Sequence, residues 1–202
     1  MTIKTIDSSV MDAALDVLGA ATAVCLCQGL PASYSAATTA LTSSGNMLGT
    51  AAPGALTKAA GDVSGRKGTG AQVTGISIGS TGLWDYVALV NSSGSKLLEC
   101  LPMAYATMVS VNTGTKTFTV SGNITASCVP GQTISIRGST GNDGIYTVVS
   151  ATYSSPNTAV VVSQTVANST GDGILIYGAQ PVTSGNTATL NALKWDEIAS
   201  IA

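Results

Sequence analysis

The stretch Gln132-Thr-Ile-Ser-Ile-Arg-Gly-Ser-Thr-Gly-Asn-Asp-Gly-Ile-Tyr-Thr-Val-Val149 decides the fold expected for this chain. It contains two short runs rich in β-branched residues, separated by a segment of glycine, serine, asparagine and aspartate. Residues of the first kind favour strands, and those of the second favour tight turns. The stretch therefore predicts two β-strands joined by a turn, with no helix signal.

Similar runs stand on both sides of this stretch at regular intervals. Turn signals such as Pro130-Gly131 and Thr170-Gly-Asp-Gly173 separate them. Short strands with regular turns are typical of a small antiparallel sandwich or barrel. The additional runs are Phe118–Val120, Thr158–Val162 and Gly173–Tyr177.

One amphipathic helix is expected near the start of the sequence. Ser9 followed by Asp12 is close to a capping box, which predicts a helix over residues 9–19. Within it, Leu15 and Leu18 recur at helical spacing and should face a core. Its aspartates should point elsewhere.

Between this helix and the β-rich middle of the chain, the strand signals are less regular. Ala23–Cys27 and Ala71–Ile78 read as strands, and Trp84–Leu98 predicts a hairpin that turns at Asn91–Ser95. Residues 29–60, rich in Ser, Thr, Ala and Gly, are long for a structureless connection. They are either a surface loop with short helical turns or an extended arm that becomes ordered on a neighbouring subunit.

The chain is expected to divide into an outer domain and an inserted module. The predicted strand Leu97–Leu101 needs a pairing partner. If residues 105–178 form a separate module, Thr187–Leu193 can be that partner. Close connection points are what a tolerated insertion requires. We therefore predict a mainly β fold with one short N-terminal helix. Its outer β-rich domain comprises residues 1–104 plus 179–202, and an antiparallel β-sandwich or barrel of residues 105–178 is inserted in it. Two domains in simple tandem, the alternative, would leave the end of the chain without a sheet.

The composition argues for structure before chemistry. The 202 residues include 8 lysines and arginines, 10 aspartates and glutamates, 51 serines and threonines, and no histidine. Histidine is the commonest proton carrier and metal ligand near neutral pH. The net charge of −2 and the pI near 4.8 leave no basic surface for nucleic acid. With only 9% of residues charged, the surface suits contact with other protein, although a Thr-rich secreted domain is nearly as compatible.

No segment is expected to insert in a membrane. Ala13–Leu30, the longest weakly apolar stretch, is interrupted by Asp16, Gly19 and Gln28. The polar start, Met1–Asp7, is unlike a signal peptide. We expect a soluble protein made in a cytoplasm.

Cys25, Cys27, Cys100 and Cys128 do not have the spacing of a disulfide framework or a zinc site. Cys25 and Cys27 lie two residues apart, and there is no second close pair. We expect free thiols that act as small buried apolar groups.

Carboxylate pairs are the remaining candidates for catalysis, because glycosidases need only two such groups. Asp143 and Asp172 lie in glycine-rich turns, and Asp196 adjoins Glu197. Aspartate is common in turns because it bonds the local backbone, so a structural role is favoured for the first pair. The turn Gly141–Gly144 lacks the ligand spacing of a calcium loop.

Neither a phosphate site nor an aromatic platform is indicated. Arg66 and Lys67 lie in Gly65–Gly70, which has no P-loop pattern, and we interpret them as solvated or interfacial charges. Trp84, beside a strand, is interpreted as a core or subunit-interface anchor. We therefore assign no catalytic, cofactor-binding or metal-binding residue, and we expect neither enzyme activity nor a cofactor. The other aromatic residues considered for binding are too scattered for a platform; they are Tyr34, Tyr105, Tyr146, Tyr153 and Trp195.

Several segments resemble small structural proteins of tailed bacteriophages. The segments that carry the resemblance are Gly61-Asp-Val-Ser-Gly-Arg-Lys67, Tyr86-Val-Ala-Leu-Val90 and Val182-Thr-Ser-Gly-Asn-Thr-Ala-Thr-Leu190. Gly138–Tyr153 is likewise similar to β-modules that recur in phage virion proteins. The resemblance carries no catalytic motif.

The resemblance implies a virion component, in particular a capsid decoration (cement) protein that stabilises the head shell. The outer domain would bind the capsid and residues 105–178 would project from it. The implied partners are further copies of the chain, as a homotrimer, and the major capsid protein, with host-surface glycans as a further partner of residues 105–178. Nucleic acid and membranes are not among them. The alternative is a head or tail fibre or neck component with a glycan-binding β-module; either would be assembled in the bacterial cytoplasm and located in the virion.

Overall fold

A computed structural model describes the backbone of residues 8–60 and 66–198 and the side chains of residues 9–60 and 66–195. The fold is mainly β with one short helix near the start, which confirms the predicted fold class. The helices are α1 (Ser8–Gly19) and α2 (Tyr34–Thr38), with a 3-10 turn at Leu41–Ser43.

The strands form two bodies, which we call the outer unit and the barrel. The outer unit contains α1, α2, β1 (Ala23–Cys27), β2 (Met47–Ala51), β3 (Leu56–Ala60), β4 (Arg66–Gly70), β5 (Val73–Ile78), β6 (Gly82–Trp84), β7 (Tyr86–Asn91), β8 (Lys96–Pro102), β15 (Gln180–Val182), β16 (Thr187–Leu190) and β17 (Lys194–Ile198). The barrel contains β9 (Tyr105–Asn112), β10 (Thr117–Ser121), β11 (Thr133–Arg137), β12 (Gly144–Ser154), β13 (Asn157–Val162) and β14 (Ile174–Ile176).

The outer unit is built on a six-stranded antiparallel sheet in the order β16-β5-β2-β1-β7-β8. Its central strands are apolar on both faces, and β7 is buried from Tyr86 to Val90. The predicted hairpin is confirmed, because β7 pairs with β8 and Asn91 lies opposite Lys96. A three-stranded sheet, β17-β4-β3, and the short pair β15-β6 complete this unit.

The second body is a closed antiparallel barrel in the order β10-β13-β12-β11-β14-β9. The stretch 132–149 forms its β11–β12 hairpin, with Ile136 opposite Gly144. Inward-facing side chains alternate with outward-facing ones, as a small filled barrel requires. Phe118 is fully buried at the centre and meets Tyr146 edge to face at 5.1 Å between ring centroids. The sequence expectation of a sandwich or barrel is thus resolved as a closed barrel.

The connections into and out of the barrel lie side by side. The backbone N–H groups of Tyr177 and Gly178 both donate to the carbonyl of Ala104, each at 2.9 Å. Next to this point, β6 pairs with β15, with Trp84 opposite Gln180. The barrel therefore leaves and rejoins the outer unit at one place.

Helix α1 packs on β3 and β4 through Leu15, which is fully buried. Ser9 was expected as the N-cap, but the helix already begins at Ser8, so Ser9 lies inside it. The aspartates do point away from the core, and both bind basic residues of the neighbouring sheet. Asp12 accepts from Arg66 at 2.7 Å and Asp16 from Lys58 at 2.6 Å.

For residues 29–60, the expected short helical turns are present, but the interpretation as a loop or extended arm was wrong. Besides α2 and the 3-10 turn, this segment contributes β2 to the middle of the large sheet and β3 to the small one. Its strands are rich in small residues, Met47-Leu-Gly-Thr-Ala51 and Leu56-Thr-Lys-Ala-Ala60, which carry a weak strand signal. Pairing with β1 and β5, rather than propensity, makes β2 a strand.

The predicted pairing of Leu97–Leu101 with Thr187–Leu193 was also wrong. Strand β8 pairs with β7, while β16 pairs with β5 at the opposite edge of the same sheet. The hairpin turn before β8 already supplies its partner at low entropic cost, since short loops close most easily. The last described residues form β17, which pairs with β4.

Gly45 should be irreplaceable in the turn that leads into β2. A Cβ there would lie 1.9 Å from the carbonyl oxygen of Thr39, so Gly45→Ala requires the backbone to move. We expect a loss of about 2–3 kcal/mol in the free energy of unfolding, as for other overpacked sites, measured by urea denaturation.

The matched control is Gly79→Ala, whose Cβ would meet its nearest heavy atom at 3.8 Å. This variant should unfold like the wild type. Equal stabilities for the two variants would show that residues 39–47 are not packed as described.

Candidate functional site

The structure places the predicted carboxylate pair in a hydrogen-bonded turn of the barrel. Asp143 accepts from the N–H groups of Gly138 and Ser139 and from the Ser139 hydroxyl, at 3.2, 2.7 and 2.9 Å. Asp172 accepts from the N–H and the hydroxyl of Thr140 at 2.9 and 2.6 Å. These hydrogen bonds lower the pKa of Asp172, which favours its charged form. Both carboxylates therefore act as clamps on one turn.

The other predicted groups are separate from this turn. Asp196 and Glu197 lie in β17, and their side chains are outside the described residues. Arg66, interpreted as a solvated or interfacial charge, is instead paired with Asp12. Lys67 is half-buried in β4. Over residues 8–60 and 66–198, no group of three His, Cys, Asp or Glu side chains is placed to hold a metal ion.

The cysteines are free thiols; Cys25, Cys27 and Cys128 are buried, and Cys100 is half-buried. Burial raises the pKa of both Cys25 and Cys27. Burial also raises the pKa of Cys128 to about 11. The pKa of Cys100 rises to about 11, first through burial and then through the nearby Glu99 carboxylate. A thiol in this state is a poor nucleophile near neutral pH.

The aromatic side chains are dispersed, as their positions in the sequence suggest. Trp84 is 5% exposed and packs in the core of the outer unit, which confirms its interpretation as a core anchor. Tyr146 is buried in the barrel, where its hydroxyl donates to the carbonyl of Asn142 at 2.9 Å. Trp195 packs against the outer unit core and donates to the Glu99 carboxylate. Tyr105 and Tyr153 are exposed on the barrel, and Tyr34 is half-buried beside β1.

The most unusual group in the structure is Asp85, which lies between β6 and β7. Its charged side chain is fully buried, between the core residues Trp84 and Tyr86. Its backbone is fixed as well, because its N–H donates to Cys27 O and its carbonyl accepts from Met103 N. An isolated buried carboxylate is strongly unfavourable, so Asp85 needs partners of its own.

Those partners come from both bodies of the protein. The Nε group of Arg137, in the barrel, donates to Oδ2 of Asp85 at 2.7 Å. The Nη2 atom of the same guanidinium lies 2.6 Å from that oxygen. Gly29 of the outer unit donates its N–H to Oδ1 at 2.6 Å. Gly29 has φ of +77°, a conformation that other residues rarely adopt, so a glycine is suited to this position.

Apolar contacts surround this ion pair. Ile176 on the outer face of β14 is fully buried and packs with Cys27 and Tyr86 of the outer unit. Ser135, its cross-strand neighbour on β11, is also fully buried, and its hydroxyl has no partner among the described residues. We call this contact region between the two bodies, centred on Asp85 and Arg137, the junction. Sequence analysis missed it, although an aspartate between two aromatic residues in an apolar run was a signal of a buried charge.

A cleft of about 500 Å³ opens beside the junction. Residues of both bodies line it, including Leu30, Tyr86, Arg137 and Asp143. Asp172, the other member of the predicted pair, does not line it. Clefts between two packed bodies are common places for ligands to bind.

Apolar side chains are also exposed away from the cleft. Val10 and Val17 on α1 are 60% and 56% exposed. They are seven positions apart, so they lie on one face of the helix, two turns from each other. Ala13 and Ala14 are exposed between them. This α1 stripe is opposite the face that packs on β3 and β4.

Comparison with known proteins gives no relative: no family model, curated protein or solved structure matches the chain. Within the described part of the chain, neither helix has the length and apolar character needed to cross a bilayer.

The geometry of the junction predicts that removing the charge of Asp85 strongly lowers the free energy of unfolding. Asp85→Asn leaves the Arg137 guanidinium, which is 17% exposed, without its counter-charge. Breaking one partner of a buried pair costs about 3–5 kcal/mol. We expect a loss of this size in the free energy of unfolding, measured by urea denaturation.

Two variants serve as controls for this prediction. Asp16→Asn removes an ion pair whose aspartate is 66% exposed and should cost less than about 1 kcal/mol. Adding Arg137→Met to Asp85→Asn removes both charges and should recover part of the loss. A stability of Asp85→Asn close to that of Asp16→Asn would contradict the description of the junction.

Thiol reactivity should be low in the folded protein. For a pKa of about 11, as at Cys100 and Cys128, about a thousandth of the thiol is ionised at pH 8. We expect the four cysteines to react slowly with Ellman's reagent at pH 8. The rate should rise with pH, because only the thiolate reacts and its fraction grows as the pH approaches the raised pKa. Unfolding in guanidinium should release all four at once; a fast-reacting thiol in the folded protein would contradict the description.

Proposed function

We propose that this chain is a structural protein of a tailed-bacteriophage virion, most specifically a capsid decoration (cement) protein that stabilises the head shell. The outer unit would contact the shell and the barrel would project from it. The observation that carries the proposal is the junction, since it ties a β-sheet body and an inserted barrel into one fixed arrangement. Such an arrangement suits a protein that acts by contact rather than by chemistry.

The surface of the outer unit supports the same role. Its basic residues Lys58 and Arg66 are engaged in ion pairs with α1, and the α1 stripe of Val10, Ala13, Ala14 and Val17 is exposed. Apolar side chains at the centre of a protein contact supply most of its stability when water is excluded. We propose that the stripe meets the major capsid protein or a further copy of the chain, in a homotrimer.

The alternative proposal is a head or tail fibre or neck component whose barrel binds host-surface glycans. The two proposals predict different amounts of protein per particle. A shell protein is present in hundreds of copies and a neck or tail protein in about a dozen or fewer, since shells repeat one contact many times. Quantitative mass spectrometry of purified virions distinguishes them.

Binding to undecorated heads tests the decoration proposal directly. Purified full-length protein should bind saturably to expanded heads that lack it, and should raise the temperature at which they release DNA. Val17→Glu places a charge on the α1 stripe and should weaken binding at least tenfold, because the charge must be desolvated in the contact.

The matched control is Val149→Glu on the barrel, where the valine is 50% exposed. It should bind heads like the wild type, since the barrel is proposed to project. No binding of the wild-type protein to heads would overturn the decoration proposal, and equal loss in both variants would overturn the assignment of the α1 stripe as the contact.

A further inference from the structure

The cleft beside the junction is lined by polar and apolar groups, and some of the polar groups have hydrogen-bonding capacity that the fold does not use. Leu30, Asn46 and Tyr86 of the outer unit line one side, and Arg137, Asp143 and Ile174 of the barrel line the other. We propose that this cleft binds a sugar unit of a neutral carbohydrate. The proposal does not depend on the position of the protein in a virion, and it places the site between the two bodies rather than in residues 105–178 alone.

The groups in the cleft include both hydrogen-bond donors and acceptors. The Tyr86 hydroxyl makes no hydrogen bond to the described residues, and Arg137 uses Nε and Nη2 on Asp85, which leaves Nη1 available. Asn46 donates its amide N–H to Gln28 O at 2.7 Å, which leaves its side-chain oxygen as an acceptor. A sugar hydroxyl both donates and accepts, so it can use each of these groups.

These polar groups are held in place before any ligand arrives. The pair with Asp85 fixes Arg137, and the bond to Gln28 fixes Asn46. Tyr86 is 5% exposed, with its ring packed in the core that spans the junction. Groups that are already ordered lose little conformational entropy on binding, which favours the binding of a small ligand.

The local charge disfavours an anionic ligand. Arg137 is neutralised by Asp85, and Asp143 adds a negative charge at the rim. Burial first, and then the charge of Asp85, raise the pKa of Tyr86; Arg137 lowers it and Asp143 raises it. The Asp143 carboxylate repels phosphate and carboxylate groups, so a neutral sugar fits better than a sialylated or phosphorylated one.

The walls of the cleft supply the apolar contact that a sugar ring needs. Leu30 is 59% exposed at its mouth, and Ile174 is half-buried on the barrel side. The C–H faces of a pyranose pack on such side chains while its hydroxyls bond the polar groups. The volume of about 500 Å³ is within the usual range of small-molecule sites.

Saturation-transfer NMR on the full chain tests this proposal. The probes are neutral di- and trisaccharides containing glucose, galactose, N-acetylglucosamine or rhamnose at millimolar concentration, with sialyllactose and glucose phosphate as anionic members. At least one neutral sugar should bind, and more tightly than either anionic probe. Tyr86→Phe removes one hydroxyl and should raise its Kd about two- to tenfold, the effect of one hydrogen bond, whereas Tyr153→Phe, at an exposed site on the barrel, should not change it.

A second variant blocks the cleft without changing its polar groups. Leu30→Trp should abolish binding of the sugar, while Val129→Trp, at another exposed apolar position, should leave it unchanged. The proposal is overturned if no neutral sugar binds the wild type, if an anionic probe binds more tightly, or if Tyr86→Phe and Leu30→Trp bind like their controls. Loss of sugar binding by Leu30→Trp with normal binding to heads would separate this proposal from the decoration role.

Discussion

The buried Asp85 carboxylate constrains how the outer unit and the barrel can be arranged, because its hydrogen-bond donors come from both. Gly29 of the outer unit binds one oxygen and Arg137 of the barrel binds the other. Apolar contacts such as those of Ile176 tolerate small sliding movements, whereas a buried ion pair does not, since misalignment leaves two uncompensated charges. The pair therefore selects one orientation of the barrel among those that the apolar contacts alone would allow. The geometry of the adjacent cleft follows from that orientation.

The hairpins of the barrel could be predicted from sequence because their pattern is local. The β11–β12 and β12–β13 hairpins pair neighbouring strands, and each turn between them is marked by glycine, asparagine, aspartate or proline. The turn residues also indicated that Asp143 bonds the local backbone, whereas Asp172 bonds Thr140, 32 residues away in the chain. Three pairings join strands that are distant in the chain and close the barrel: β10 with β13, β11 with β14, and β14 with the start of β9.

The outer unit was less predictable because its decisive contacts are not local. Strand β2 consists largely of small residues and is fixed by β1 and β5, and β16 joins the sheet beside β5 more than a hundred residues away in the chain. Sequence spacing suggested Thr187–Leu193 as the partner of β8, whereas β8 pairs with β7 in their hairpin. Asp85 and Arg137 could not be paired from sequence either, since nothing local shows that the outer face of β11 is covered by the outer unit.

The scarcity of charge has a structural explanation beyond the lack of catalytic groups. Ion pairs join elements that are far apart in the chain: Asp12 with Arg66, Asp16 with Lys58, and Asp85 with Arg137. Asp143 and Asp172 are engaged in a turn. Much of the small charge complement is thus used to hold the fold together, which leaves a surface rich in hydroxyls and small apolar groups. A hydroxyl can donate or accept in a protein contact without the desolvation cost of a charge. Because many of the few charges are used within the fold, the remaining surface is suited to close contact with other molecules.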